Sequence, residues 1–244
     1  MIIYGRNVII TAIEAKQKIQ ELWVSKTANG PVIKKIQHIC RTNDIPVFEK
    51  PSQAIDKKAG SGVVHQGVIG FTKGFDYVDL NRTLNDLDLS DGLKLILVLD
   101  QINDPHNLGA IIRTAECAGV SAIIIPSQNS AQVTSTVMKV SAGAVFYLPI
   151  IRVKTVEEAI LTLKDKHFNI ITTDGEATST LYDIDYDTHC ALIIGNEGTG
   201  IRNKIIKLSD HTINIPIHGR TESLNASVAA GICMYHIKEK QVNK

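Results

Sequence analysis

The sequence predicts an α/β protein whose larger, C-terminal part is a mostly parallel sheet with helices on both faces, preceded by a small α/β domain. Three observations predict it. Segments such as Leu95–Leu99, Ala122–Ile125 and Ala191–Ile194 are apolar at every position, the pattern of strands buried on both faces. Between them run stretches with apolar residues at helical spacing, Leu108–Ala118 and Val156–His167 among them. Charge is also uneven: residues 1–75 hold 11 Lys and Arg against 5 Asp and Glu, whereas residues 76–92 hold one Arg against five Asp.

In the first domain, Asn7 is placed to cap a short helix through Ile13, and Ile19–Val24 reads as a strand carrying the sole Trp. Pro31 opens a helix on which Val32, Ile33, Ile36, Ile39 and Cys40 share one face. Ile45–Phe48 is a second strand, and Gly67–Phe71 a third after the Gly60–Gly62 turn. The basic balance suits a domain that holds a polyanion, and equally one whose surface lysines serve solubility. Residues 76–92 are acidic and turn-rich, and are expected to be a linker.

From Leu93 onward, strands are expected at Leu95–Leu99, Ala122–Ile125, Val145–Leu148, Asn169–Thr173, His189–Ile194 and His211–Ile217. Helices are expected at Leu108–Ala118, Val133–Ser141, Val156–His167, Ile201–Leu208 and Asn225–Lys240. Connection rules alone give a plain, unknotted doubly wound fold.

The bulk composition bounds the function class. A length of 244 residues is enough to bury one large core or two modest ones. The sequence is rich in Ile and Val and poor in aromatics, as an ordinary soluble globular protein is. No apolar run approaches the ~20 residues of a membrane span. The apolar start Met1–Tyr4 is broken by Arg6 and Asn7 too soon for a signal-peptide core. Cys40, Cys117, Cys190 and Cys233 are widely spaced, without a Cys-x-x-Cys pair or histidines at metal-ligand spacing. They read as free thiols in a reducing cytoplasm, with neither a metal centre nor a disulfide framework.

Three apolar strands deliver polar residues at their C-terminal ends. The first is Leu97–Asp100, running into Gln101-Ile-Asn-Asp-Pro-His-Asn-Leu-Gly109 and a helix that carries Arg113. The second is Ala191–Ile194, running into Gly195-Asn-Glu-Gly-Thr-Gly200. The third is His211–Ile217, whose loop closes on Ser223-Leu-Asn-Ala-Ser227 before the last helix. Strand, polar loop and helix N-terminus make a ligand cradle at the strand ends where open α/β sheets bind ligands; taken singly, each is also an ordinary strand-to-helix turn. The Gly195 loop lacks the Gly-Lys-Ser/Thr ending of a P-loop and the order of a dinucleotide fingerprint, and Glu197 would repel phosphates. A nicotinamide dehydrogenase is therefore disfavoured.

On these residues the sequence resembles the SpoU/TrmH (SPOUT) family of RNA ribose 2′-O-methyltransferases, whose three motifs stand in the same order. Residues 1–75, with His65-Gln66-Gly67 before their last strand, resemble the small RNA-binding domain of the two-domain, RlmB-like ribosomal-RNA members. The resemblance implies a deep trefoil knot in the C-terminal part, a homodimer formed through it, and S-adenosylmethionine as cofactor. Domains are then expected at 1–75 for substrate RNA, 76–92 as linker and 93–244 as the knotted, cofactor-dependent body.

The family's pattern implies cofactor contacts at Gly195, Ile215 and Leu224, chiefly through backbone groups. It implies that Arg113 acts on the 2′-hydroxyl, organised by Asn107, Glu197, Ser223 and Asn225. A general-base role sits awkwardly with a guanidinium, whose pKa lies far above neutrality, so phosphate clamping and electrostatic polarisation stand beside it. His106 reads as loop structure or RNA contact, and Arg220 and Glu222 as shaping the site or a partner's. The substrate implied is ribosomal RNA, at a guanosine of 23S RNA; transfer RNA and a non-catalytic RNA-binding role remain open.

Overall fold

Fully apolar strands need cover on both faces, and the helices of the C-terminal part supply it. The computed structural model describes residues 1–242, so the predicted bound of the body at residue 244 lies outside the described residues. The protein divides into two compact units: Met1–Asp76 with Val133–Tyr147, and Tyr77–Gln132 with Leu148 onward.

The N-terminal unit contains β1 (Ile2–Tyr4), α1 (Arg6–Glu14), β2 (Ile19–Ser25), α2 (Pro31–Thr42), β3 (Val47–Lys50), α3 (Ser52–Ala59) and β4 (Val68–Thr72). Its sheet runs β1-β4-β2-β3, with β4 antiparallel to β1 and β2, and β3 parallel to β2. Gly5, not Asn7, precedes α1, and its φ of 96° makes the sharp entry from β1 that glycine permits. Neither β1 nor α3 is in the sequence-based expectation; three residues are too few to show an alternation, and α3 buries only Ile55.

The second unit contains α4 (Leu80–Asp86), β5 (Leu95–Leu99), α5 (Pro105–Cys117) and β6 (Ala122–Pro126). The polypeptide then contributes α6 (Ser135–Val140) and a 3₁₀ turn (Ala144–Phe146) to the first unit. It returns as β7 (Ile150–Val153), α7 (Val156–Asp165), β8 (Asn169–Thr173), β9 (Ser179–Thr180), β10 (Cys190–Ile194), α8 (Asn203–Ile206), β11 (His211–Asn214) and α9 (Ala226–Val242). The sheet order is β7-β6-β5-β10-β8-β11-β9 and every pairing is parallel. At its centre β10 lies in register on β5, Cys190 opposite Leu95 through Ile194 opposite Leu99, and both strands are buried throughout. This places the C-terminal ends of β5 and β10 side by side, about 95 residues apart in sequence, which is where the chemistry-bearing loops begin.

Two expectations are corrected. Val145–Leu148 is not a strand: Gly143, at φ 91°, makes a turn where a Cβ would strike Thr11 at 2.7 Å, and β7 starts only at Ile150. The acidic segment 76–92 is not a bare tether. Asp79 caps α4, Leu84 is buried in the core of the second unit, and Leu80, Leu87 and Leu89 pack against that core. Spacing these leucines among five aspartates hides an amphipathic segment from composition. Among the described residues, no helix is long and apolar enough to cross a membrane.

Candidate functional site

The β10 strand ends at Gly195, and only glycine fits there. A Cβ would lie 2.5 Å from the backbone carbonyl carbon and oxygen of Gly200 and 2.6 Å from Ile201 Cγ1. The loop folds back on itself through paired backbone bonds between Asn196 and Gly200. Inside it, Asn196 Oδ1 accepts the N–H groups of Gly198 (2.8 Å) and Thr199 (3.3 Å), while its amide nitrogen donates to the carbonyl of Gln101 at 3.0 Å.

The loop's far end is fastened to the same strand. Asp100, wholly buried at the end of β5, accepts from Arg202 through Nε (3.0 Å) and Nη2 (2.6 Å) and from its backbone N–H (3.3 Å). Arg202 also meets Glu157 at 3.3 Å, and Lys204 pairs with the same carboxylate. The hydrogen-bonded Asp100 holds the Arg202 guanidinium above its ordinary pKa. Burial pushes the Glu157 carboxyl up, but Lys204 and Arg202 outweigh burial and hold it below the usual range. Asn196, Asp100 and Arg202 are absent from the sequence-based site. The one available signal was an aspartate closing the wholly apolar run Leu95–Leu99, since a buried carboxylate requires a partner.

With the loop so placed, Glu197 joins segments far apart in sequence. Its Oε1 accepts from Asn107 Nδ2 at 3.0 Å, from the Ala226 N–H at 2.9 Å and from Asn225 Nδ2. Asn225 Nδ2 also reaches Asn107 Oδ1 at 2.9 Å. Asn225 Oδ1 accepts from Ser227 N–H (3.0 Å) and Oγ (2.6 Å), so Asn225 caps α9 while Glu197 takes its first N–H. Asn107 lies within α5, not in a loop before it: Asp104 accepts the His106 N–H at 2.9 Å and Pro105 begins the helix.

Beside this cluster opens a cavity of about 340 Å³. Gly195, Glu197, Ile215, Ser223 and Leu224 all line it, as do Ile194, Ile201, Ile206, Ile213 and Ile217. Its charged lining consists of Asp174, Glu197 and Glu222, with no Lys or Arg among the described residues. Such walls accept a flat apolar group and a cation and reject an anion. Among the described residues no group of three His, Cys, Asp or Glu could hold a metal ion.

Arg113 stands apart from the cluster. It follows Asn107 by six residues on α5, about 120° around the helix axis. It is exposed and its side chain makes no hydrogen bond or ion pair among the described residues, so the pairings with Glu116 or Glu197 that would make it an ordinary surface residue are absent. His106 is exposed on the first turn of α5, and Arg220 is exposed in the loop before α9.

Comparison with known proteins agrees with this geometry. Residues 94–235 match the SpoU rRNA methylase family, and residues 2–78 match the RNA 2′-O ribose methyltransferase substrate-binding family. A Staphylococcus saprophyticus protein named as a TrmH family tRNA/rRNA methyltransferase is 35% identical over 241 residues, 99% of this protein and 96% of its own length. The AdoMet-bound rRNA methyltransferase from Sinorhizobium meliloti superposes with a TM-score of 0.81 at 26% identity, covering 98% of this protein and 86% of that one. The SpoU methyltransferase AviRb from Streptomyces viridochromogenes, in complex with AdoMet, shares the fold with a TM-score of 0.85 at 23% identity over 100% of this protein and 91% of its own length.

Proposed function

The protein belongs to the SpoU rRNA methylase family, and from that premise we propose that it transfers the methyl group of S-adenosylmethionine to a ribose 2′-hydroxyl of ribosomal RNA, at a guanosine of 23S RNA. One observation carries the reading: the cavity at Gly195 has isoleucine walls and three carboxylates, lacks a Lys or Arg among the described residues, and adjoins the Asn107–Glu197–Asn225 cluster. A phosphate-bearing cofactor would face three carboxylates there, with no Lys or Arg among the described lining residues to offset them. A purine joined to a sulfonium fits what is present.

Gly195, Ile215 and Leu224 are the residues we assign to hold this cofactor. When bound, it supplies a methyl group already activated for transfer. The protein's own tasks are then to align the 2′-oxygen and assist loss of its proton. Asn107, Glu197, Ser223 and Asn225 organise the ribose, with Glu197 fixed by its three donors. Arg113, exposed and with a side chain that has no partner among the described residues, engages the hydroxyl or an adjacent phosphate through its guanidinium donors.

A cytoplasmic homodimer formed through the C-terminal part goes with this reading. Val228, Ile232 and Tyr235 recur on one face of α9 at 48, 37 and 53% exposure, an apolar stripe that suits a second copy. The trefoil knot is likewise proposed; it is supported by the return of α9 to pack on α5, β5 and β10 after β11 has left on the other side of β8. Ribose-methylation mapping of RNA from cells with and without the gene tests the substrate. One methyl lost from ribosomal RNA supports the proposal, a loss from transfer RNA moves the substrate there, and no loss in either favours a non-catalytic role.

A further inference from the structure

In the N-terminal unit, two cations converge on one neutral residue. Gln66 occupies the turn between His65 and Gly67 at φ 57°, a left-handed conformation unfavourable for a glutamine. The turn is braced on both sides. His65 Nδ1 accepts the Gly67 N–H at 3.0 Å, and His65 Nε2 meets Asp56 Oδ1 at 2.7 Å. A Cβ on Gly67, at φ 80°, would strike Ala28 at 2.7 Å.

So held, Gln66 presents both of its oxygens to cations. Its Oε1 accepts the backbone N–H of Arg6 at 3.0 Å, capping α1 where Gly5 has no side chain to do so. Its own carbonyl oxygen accepts Arg6 Nε at 3.1 Å, and Lys139 Nζ, from α6, donates to the same Oε1 at 3.2 Å. Gly5 leaves room for this, since a Cβ there would collide with Lys139.

Neither cation has a carboxylate within ion-pair distance among the described residues. The terminal guanidinium nitrogens of Arg6 and the remaining N–H groups of Lys139 have no partner among them either. Burial holds the Lys139 ammonium below its ordinary pKa, and no counter-charge offsets it. Two like charges gathered on a strained, braced turn cost electrostatic energy unless an anion completes the arrangement.

We propose that Arg6 and Lys139, spaced by Gln66, bind a backbone phosphate of the RNA substrate. This rests on the reading of the protein as an RNA methyltransferase. It adds a residue, Lys139, that lies outside the matched substrate-binding segment of residues 2–78. A backbone phosphate fixes register and orientation without reading sequence, so the site positions the RNA and does not select the base.

The test is binding of the full-length protein to bacterial ribosomal RNA across a salt series, for wild type, Arg6→Gln, Lys139→Gln, the double variant and Lys139→Arg. Each neutralisation should weaken binding about fivefold near 0.1 M salt and reduce the slope of log affinity against log salt by about 1, while Lys139→Arg stays near wild type. Unchanged thermal midpoints and unchanged S-adenosylmethionine titrations separate this from misfolding. Wild-type affinities and slopes in both single variants would overturn the site. Loss of inorganic phosphate binding, followed by ³¹P NMR, with RNA affinity intact would overturn RNA as its occupant. Absence of salt-dependent RNA binding by the wild type would instead remove the RNA reading on which the site rests.

Discussion

Asp100 and Arg202, 102 residues apart, are locked by two guanidinium nitrogens and a backbone N–H on one fully buried carboxylate. Together with the Asn196 bond to Gln101, this fastens both ends of the Gly195 loop to the end of β5. The position of Glu197 within the site follows from that double attachment.

Asp100→Asn should therefore cost about 3 kcal/mol, because it breaks the ion pair of a fully buried carboxylate and leaves the Arg202 guanidinium with Glu157 as its remaining counter-charge. Urea unfolding of the folded variant gives the midpoint, and cofactor calorimetry gives the accompanying loss, about tenfold in Kd. A variant with wild-type midpoint and Kd would show that the loop is positioned by other contacts.

Substitutions at Glu197 should separate charge from geometry. Glu197→Gln keeps an acceptor oxygen for Asn107, Asn225 and Ala226 but loses the charge that strengthens each bond. Glu197→Ala removes the acceptor shared by all three donors and leaves Asn225 Nδ2 only its bond to Asn107 Oδ1. Methyl transfer should fall about tenfold for Gln and about a thousandfold for Ala, in single-turnover assays. Equal activities for the two variants would mean that the cluster does not organise the substrate.

Arg113→Ala should abolish nearly all transfer while leaving cofactor affinity within a few-fold of wild type, since Arg113 does not line the cavity. A transition-state role lowers kcat and kcat/KM together; a simple RNA anchor chiefly raises KM. Substantial rescue by Arg113→Lys would indicate charge alone, and near-normal turnover by Arg113→Ala at saturating RNA would remove the residue from the chemistry.

The body was legible because its central strands are largely apolar: β5 and β8 match expectation residue for residue, and Asn107, Glu197 and Asn225, one from each motif, lie within hydrogen-bonding distance of one another. What escaped the sequence was set by partners distant along it. Asp100 alone gives no hint that Arg202 will meet it. Val145–Leu148 has the composition of a strand, yet Gly143 bends the polypeptide into a turn beside Thr11. Asn107, expected in the loop before the helix that carries Arg113, is on that helix, which begins at Pro105 and turns the two side chains onto different faces. The leucines of residues 80–89 were masked by the aspartates among them.

Stability should fall as pH drops from about 7 to 5. His189 and His236 are held below their ordinary pKa by burial, with the Lys94 and Lys240 charges adding to it. His189 Nδ1 accepts the Lys94 N–H at 3.0 Å, a bond that protonation removes. The unfolded protein then binds more protons than the folded one, so stability rises with pH through the ordinary histidine value of about 6.5 and is lost below it. Melting at pH 7.5 and 5.5 should give a lower midpoint at 5.5, with a smaller drop for His189→Asn. A midpoint that is flat or higher at pH 5.5 would contradict this.

The most direct measurement is a transfer assay with methyl-labelled S-adenosylmethionine and unmodified ribosomal RNA, followed by alkaline hydrolysis of the product. A 2′-O-methyl group removes the hydroxyl that attacks the adjoining phosphodiester, so label on the ribose survives in an alkali-resistant dinucleotide. The account predicts label in that dinucleotide with wild-type protein and its near absence with Arg113→Ala. Label recovered only in mononucleotides, as base methylation gives, or no label from wild-type protein on ribosomal and transfer RNA alike, would contradict it.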